Sequence, residues 1–567
     1  MQDKPLKVVL CWHMHQPDYL DRIGNEFQLP WVYLHAIKDY VDMAAHLEAV
    51  PEAKAVINFS PVLLEQLDEY ERQIRGCLKG TEPIRDPLLA VLDSPVFPAD
   101  NEPRISIIKS CLRSNKKHQI ERHPPYKKLV SMTEPVITNS SYISYFSNQY
   151  LADLVCWYHL SWLGETVQRT DKRVRDLVEQ GAGFTLHQRR VLLQIIGDLI
   201  SGLRNRYAKL AERGQIELSM SPYTHPMIPL LLDFKSAREA IPDLRLPVLD
   251  SYPAGRERAM WHMDKGLEVF EHYFGIRPVG CWPSEGGVSS DAIKLIGDAG
   301  FQWVATGENV LRNSIKNTPS IKQDQSIYHS FTHDGSAVRL YARSDSLSDL
   351  IGFTYSDWHA DDAVSDLISR LTVIADASVK EEDPVVSIIL DGENPWEYYP
   401  ENGYYFLSAL YKRLVENPRF ELAVYKDLSA THGVRLEKIT AGSWVFGTFS
   451  TWIGNEDKNR AWDILGDAKR VYDEVTANTE IEELLQEKID SQLAICEGSD
   501  WFWWFGDYNP AETVSDFERL FRIHIVNLYH MLGQEPPQYL SQTLSHGSGA
   551  PRLGGVIRPG TPTESEK

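Results

Sequence analysis

The amino-acid sequence predicts a parallel α/β barrel followed by a helical bundle. Three observations lead there. Through residues 1–430, short apolar segments alternate with longer helical ones, the pattern of parallel strands joined by helices. Two carboxylates, Glu285 and Asp391, come directly after such apolar segments, where the strand ends of a barrel place catalytic groups. After Gly442 the pattern changes, and apolar residues recur at helical spacing.

The first strand is expected at 7–12, where Val8-Val9-Leu10-Cys11-Trp12 runs into His13-Met14-His15-Gln16-Pro17-Asp18. The second is expected at 55–59. The third, at 216–220, runs into Ser221-Pro222-Tyr223-Thr224-His225-Pro226, so two strands end in His and Pro. The fourth, at 279–282, ends beside Pro283-Ser284-Glu285. Further strands are expected at 303–306, 338–341 and 385–390, where five of the six residues before Asp391 are apolar and read as a buried strand. A last one is expected at 422–425. A long insertion separates the second strand from the third, with a Pro- and charge-rich stretch at 84–128 and a helical stretch at 171–213. It is expected to overhang the barrel mouth, its Arg and Lys forming a solvated face.

In the second part, Ile481, Leu484, Leu485, Ile489, Leu493 and Cys496 share one helical spacing, and Phe517, Leu520, Phe521, His524, Leu528 and Met531 share another. Cys496-Glu497-Gly498-Ser499-Asp500-Trp501 reads as an extension of the first helix. Gly442-Ser443-Trp444 and Thr451-Trp452-Ile453-Gly454 open this part, their aromatics read as packing on the barrel or, second, as lining a sugar subsite. The division expected is a barrel with its insertion over 1–430, a bundle completing the active site over 431–535, and a disordered tail over 536–567, where Gly, Ser, Pro and Thr dominate.

Composition narrows the partners. The chain carries 58 Lys and Arg against 79 Asp and Glu, a net charge of −21, which repels nucleic acid and anionic membrane but ignores a neutral polysaccharide. The six cysteines are scattered without a Cys-x-x-Cys and read as free thiols in a reducing compartment. No charged start with an apolar stretch and cleavage site precedes the first strand, and no stretch approaches a membrane span, so a cytoplasmic protein is expected.

A pair of carboxylates is what glycosidic cleavage needs, one to attack or stabilise the anomeric carbon and one to protonate the leaving oxygen. Strand-end acids also serve as helix caps or ion pairs. Here they keep aromatic company suited to sugar faces: Trp282 before Glu285, Trp396, Tyr398 and Tyr399 after Asp391, and Trp501, Phe502, Trp503 and Trp504 farther on.

Five stretches in order carry a resemblance: His15-Gln16-Pro17; Gly214-Gln215-Ile216-Glu217 running to His225-Pro226; Gly280-Cys281-Trp282-Pro283-Ser284-Glu285; Leu390-Asp391-Gly392-Glu393-Asn394; and 496–504. Together they resemble glycoside hydrolase family 57, retaining α-glucan-active enzymes built on an incomplete (β/α)7 TIM-like barrel. The resemblance implies Glu285 as nucleophile, Asp391 as general acid/base, and His15, Gln16, His225, Trp282, Asp500 and Trp501 as substrate-binding residues. It implies starch, glycogen or a maltooligosaccharide as substrate, with no cofactor. The form of 391–399 resembles the α-amylase and amylopullulanase side of the family more than the branching side; 4-α-glucanotransferase or branching activity is the alternative. One place departs: Thr306-Gly307-Glu308 stands where a Thr-Asp-Glu is expected, removing a hydrogen-bonding acid near the site.

The histidines carry a rival reading. His13 and His15, two residues apart on one strand face, with His225, Asp18 and His359, are the residue types of a zinc site, as in metal-dependent deacetylases and mannosidases with related barrels. The resemblance instead makes His15 a ligand of sugar hydroxyls, so no metal is expected. A glucan-binding protein without catalysis is the third reading, against which both acids are intact.

Overall fold

The computed structural model describes residues 4–379, 381, 383–428 and 433–548. Seven parallel strands form the barrel: β1 (Leu6–Met14), β2 (Ala55–Phe59), β3 (Ile216–Met220), β4 (Gly280–Cys281), β5 (Trp303–Gly307), β6 (Arg339–Arg343) and β7 (Val385–Asp391). Their order around the sheet is β7-β1-β2-β3-β4-β5-β6, and the Ser387–Arg343 pair joins β7 back to β6. Neighbouring β4 is the weak stave, paired to β3 only through Met220 and Cys281.

Alternation along the strands sorts side chains into two layers. Val9, Cys11, Val56, Trp303, Ala305, Tyr341 and Ile389 fill the barrel interior. Val8, Leu10, Trp12 and Met14 belong to the larger core between strands and helices. Continuing the odd parity of β1 sets His13 over the barrel interior, where register places it between Asn58 of β2 and Asp391 of β7. The site therefore grows out of the strand ends.

The expected last strand is shorter and earlier, Phe420–Leu422, and pairs with the start of β1. It stops because the next residues turn inward and close the barrel end opposite the site. The Tyr425 ring lies 4.2 Å from that of Trp303 and 4.6 Å from that of Tyr341, and the Lys426 backbone N–H donates to Glu217 at 2.9 Å.

Helix α1 (Pro61–Lys79) starts with Pro at its first position and stops at left-handed Gly80. The insertion is helical, and α2 (Leu186–Glu212), opened by a Thr185–Gln188 capping box, packs along α1. Helix α3 (Gly255–Phe274) follows β3. In the bundle, α4 (Glu456–Asn478) and α5 (Glu483–Cys496) pack on α7 (Ala511–Met531), with the short α6 (Asp500–Trp504) between.

Three expectations for the bundle are corrected. The 496–504 stretch does not extend α5: the helix ends at Cys496, and α6 begins only at Asp500, after a turn that points Ser499 and Asp500 at the barrel. Leu484 and Leu485 are exposed, because the first turn of α5 projects beyond its partners; Ile489, Leu493 and Cys496 are buried as expected. Residues 536–548 are packed against the bundle: Leu540 and Leu544 are buried, and the Ser545 hydroxyl accepts from the Gly506 N–H at 2.9 Å. The rest of the expected tail lies outside the described residues.

Barrel and bundle are stitched together beside the site. Ser499 N–H donates to the His225 carbonyl at 3.0 Å, and Thr224 Oγ1 donates to the Ala494 carbonyl at 2.6 Å. Glu497, fully buried, receives Tyr252 Oη at 2.6 Å, Arg258 Nη2 at 2.9 Å and His262 Nε2 at 2.8 Å. Burial opposes the charge, but Arg258 and His262 more than offset it and hold the carboxyl at about 2. A depressed folded value means stability present above the ordinary carboxylate range and lost as pH falls from there toward 2. Arg258→Met leaves a buried charge unpaired, and urea denaturation is expected to show a loss of about 3–5 kcal/mol.

Candidate active site

Glu285 sits in the turn after β4 with φ of +58°, a left-handed conformation costly for a residue with a side chain. The strain is held from the bundle side, where the Trp444 backbone N–H donates to the Glu285 carbonyl at 3.0 Å. The carboxylate accepts from Trp444 Nε1 at 3.1 Å and Ser499 Oγ at 3.2 Å. Asp391, half-buried at the end of β7, accepts from Asn394 Nδ2 at 2.8 Å.

Electrostatics couple the acids. Burial, then Asp500 and Asp391, push Glu285 upward, while the donors Trp444 and Ser499 oppose the shift. Burial likewise raises Asp391 to about 6, against the Asn394 hydrogen bond and the charges of His15 and Arg343. Glu285 and Asp391, each raised, do not both ionise readily. Glu285 has two donors against one for Asp391, yet both carboxyls remain raised.

The histidines face this pair. His15 Nε2 contacts both Asp500 oxygens at 2.9 and 3.0 Å, and its Nδ1 meets Ser60 Oγ at 2.7 Å. His225, left-handed at φ +61°, has Nδ1 3.0 Å from Ser499 Oγ. Since the Ser499 hydroxyl donates to Glu285, His225 Nδ1–H donates to Ser499, which leaves Nε2 an acceptor, and that atom is buried without a partner. Burial first, then His15 and His13, holds His225 well below the usual range and therefore neutral. His13 donates to Asn58 Oδ1 at 2.7 Å and is lowered to about 3 by burial and His15.

One ligand atom each from His15, His225 and Asp500 lies within 4.8 Å of the others. Yet the His15 and His225 rings are stacked 4.0 Å apart at 24°, so their in-plane lone pairs run side by side instead of converging on one point, as a tetrahedral metal requires. Of the rival set, His13, His15 and His225 come together, whereas Asp18 and His359 do not join them. Asp18 turns to Arg22 at 2.8 Å, and His359 is exposed at the start of the helix Ala360–Ala377. The arrangement suits hydroxyl groups.

Three other expected substrate-binding residues are placed differently. Trp282 is fully buried in the barrel interior beneath Glu285, and its ring meets Trp444 edge-on at 5.3 Å. Trp501, 1% exposed, donates to the Ile495 carbonyl and packs on His524 at 5.2 Å, behind Asp500. Neither ring offers a face to a sugar. The Gln16 side chain donates to Glu393 at 2.7 Å and accepts from Tyr19 at 2.7 Å, so it braces the segment after Asp391.

Trp444, one of the aromatics read as packing on the barrel or lining a sugar subsite, stands against Glu285. Gly307 explains how it arrives: a Cβ there would lie 2.6 Å from the Trp444 Cα and 3.0 Å from the Ser443 carbonyl. The glycine in place of the expected acid lets the segment Ser443-Trp444 approach, and Trp444 supplies a hydrogen bond to Glu285. Beside Asp391 opens a cavity of about 110 Å³ lined by Arg343, Phe353, Ser356, Asn394, Tyr398 and Trp444, among others.

Comparison with known proteins agrees with this architecture. The family model for glycosyl hydrolase family 57 matches residues 9–439. The fold is similar to a branching enzyme of that family from Thermococcus kodakaraensis, with TM-score 0.56 and 15% identity over 93% of this chain and 90% of that one. A branching enzyme of the same type from Pyrococcus horikoshii superposes with TM-score 0.55 and 15% identity over 98% and 99% of the two chains. The α-amylase from Thermotoga maritima gives 0.55 and 13% over 95% and 96%. No curated protein sequence matches the chain. A match over three quarters of the residues, on a seven-stranded barrel of this topology, shows that the chain belongs to glycosyl hydrolase family 57.

Proposed function

We propose that the protein acts on α-glucans by retaining double displacement, with Glu285 as nucleophile and Asp391 as acid/base. The observation that carries this is the placing of two buried acids at the strand ends: both are raised, Glu285 is held by two donors in a strained turn, and Asp391 opens onto the cavity. Protonated Asp391 gives its proton to the leaving glucan as Glu285 attacks the anomeric carbon; as carboxylate it then takes a proton from the acceptor. His15, Asp500 and the unpartnered His225 Nε2 hold hydroxyls of the bound ring. The His225 imidazole, kept neutral by burial, can accept at Nε2, which suits a sugar hydroxyl. The α-glucan substrate is supported by the amylase and branching enzymes that share the fold.

Incubation with maltoheptaose, amylose and pullulan, followed by chain-length separation, tests the reading. Shortened α-1,4 chains are expected; failure to act on any of the three would refute it. The pH profile is a second check. Activity toward low substrate needs protonated Asp391, so kcat/KM is expected to fall as pH rises through about 6. Asn394→Ala removes a hydrogen bond that stabilises the carboxylate, so this alkaline limb should move to higher pH.

A further inference from the structure

The barrel closes at β6 and β7, which pair at one position, Arg343 with Ser387, where the Ser344 N–H donates to the Ser387 carbonyl at 2.8 Å. At Ile389, side chains take the place of the next rung. Its backbone N–H donates to Ser348 Oγ at 3.2 Å, and its carbonyl accepts from Arg343 Nε at 2.8 Å. Asp391 is two residues farther along β7, so the strand end that carries it is held on this side by an arginine side chain.

The same guanidinium reaches the other acid. Its Cζ lies 5.3 Å from the centre of the Trp444 ring, within cation–π range, and Trp444 Nε1 donates to Glu285 at 3.1 Å. Arg343 Nη1 donates to Asp345 at 2.8 Å and Nη2 to Asp349 at 2.7 Å, which fixes the plane of the fork. Arg343 is buried, and burial opposes its charge, but Asp349 and Asp345 outweigh that and keep it a cation. A buried ion pair gains little stability over a neutral brace. What the charge adds here is its action on Asp391, the cavity wall beside it.

We infer that Arg343 is the positioning residue that couples the two acids: it fixes the end of β7 below Asp391, sets a positive charge against the carboxyls gathered there, and seats the indole that donates to Glu285. The inference rests on the double-displacement reading. Asp391 faces His15 and Arg343, which favour its charge, and Asp500, which opposes it; Glu285 and Glu393 are coupled to it as well. Behind Arg343 stand Asp345, Asp349 and Glu308. Removing the guanidinium takes away an attraction and uncovers Asp345 and Asp349, and both effects make Asp391 harder to ionise. An unseated Trp444 does the same to Glu285, whose carboxylate it stabilises.

The pH profile of kcat/KM on maltoheptaose tests this in wild type, Arg343→Met and Arg343→Lys. In Arg343→Met both limbs are expected to move to higher pH, the alkaline one by roughly one unit. Arg343→Lys keeps the charge but cannot fill the fork or lie flat on the indole, so its limbs should stay in place while kcat per folded molecule falls about tenfold or more. A brace with no part in the reaction would lower the urea midpoint and leave both limbs where they are. Unmoved limbs in Arg343→Met, or limbs moved equally in the two variants, overturn the inference. If Arg343→Met does not fold, Arg343→Lys decides: a lower kcat with fixed limbs supports it, and a wild-type kcat or shifted limbs overturns it. Wild type inactive on maltoheptaose, amylose and pullulan alike overturns the double-displacement reading itself.

Discussion

Glu285→Gln is expected to leave less than about a hundredth of wild-type turnover on any α-glucan, because the amide keeps the shape and loses the attacking oxygen anion. The fold should not suffer. Burial and two neighbouring acids raise the Glu285 carboxyl, so its ionised form is disfavoured in the folded protein. A folded value above the unfolded one means stability is lost as pH rises past the ordinary carboxylate range, and at neutral pH the charge is a cost. A neutral amide removes that cost. Thermal unfolding of Glu285→Gln at pH 7 should therefore occur at the wild-type midpoint or above it. Inactive enzyme of undiminished stability is the signature of a carboxylate kept for chemistry. The chemical counterpart uses Glu285→Ala, azide and a maltosyl fluoride: azide entering the vacated face should give the β-glycosyl azide. Residual turnover above a hundredth, or a variant that is inactive because it unfolds, would remove Glu285 from the nucleophile's role.

Much of the barrel was legible because parallel strands buried on both faces leave near-continuous apolar runs, and both acids stand where those runs end. The partnership of His15 with Asp500 was not legible from spacing: the two residues are 485 positions apart, and only the turn at 497–499 brings them together. Trp282 and Trp501 show a limit of composition. A tryptophan beside an acid reads alike whether its ring faces sugar or fills a core, and the surrounding elements decide. For Trp444 the sequence left packing and a sugar subsite both open, since its approach depends on a missing side chain at Gly307 on another strand. Periodicity marked a face of α5 without saying that no partner reaches Leu484 and Leu485.

The division of labour between barrel and bundle follows from these contacts. Glu285 and Asp391 come from barrel strands, but the groups that set their charges come from elsewhere: Ser499 and Trp444 from the bundle side hold Glu285, and Asp500 raises both acids. The Glu497–Arg258–His262 cluster holds the segment that carries Ser499 and Asp500. On the proposed mechanism, neither part contains the complete site.

Asp391→Asn is expected to separate the two halves of the reaction. Without a proton to give, cleavage of amylose or maltoheptaose should fall by about a hundred- to ten-thousand-fold, the span a general acid ordinarily contributes. Formation of the glycosyl-enzyme from maltosyl fluoride should fall far less, since fluoride leaves without protonation. Deglycosylation remains slow, as no carboxylate takes the acceptor's proton, so a burst of fluoride is expected, followed by slow turnover. Azide needs no deprotonation and should accelerate that second phase, yielding the α-glycosyl azide because it attacks the intermediate from the acceptor side. The opposite anomers from Glu285→Ala and Asp391→Asn identify which acid lies on which face of the sugar. Equal losses on amylose and on the fluoride, or a β product from Asp391→Asn, would mean that Asp391 is not the proton donor.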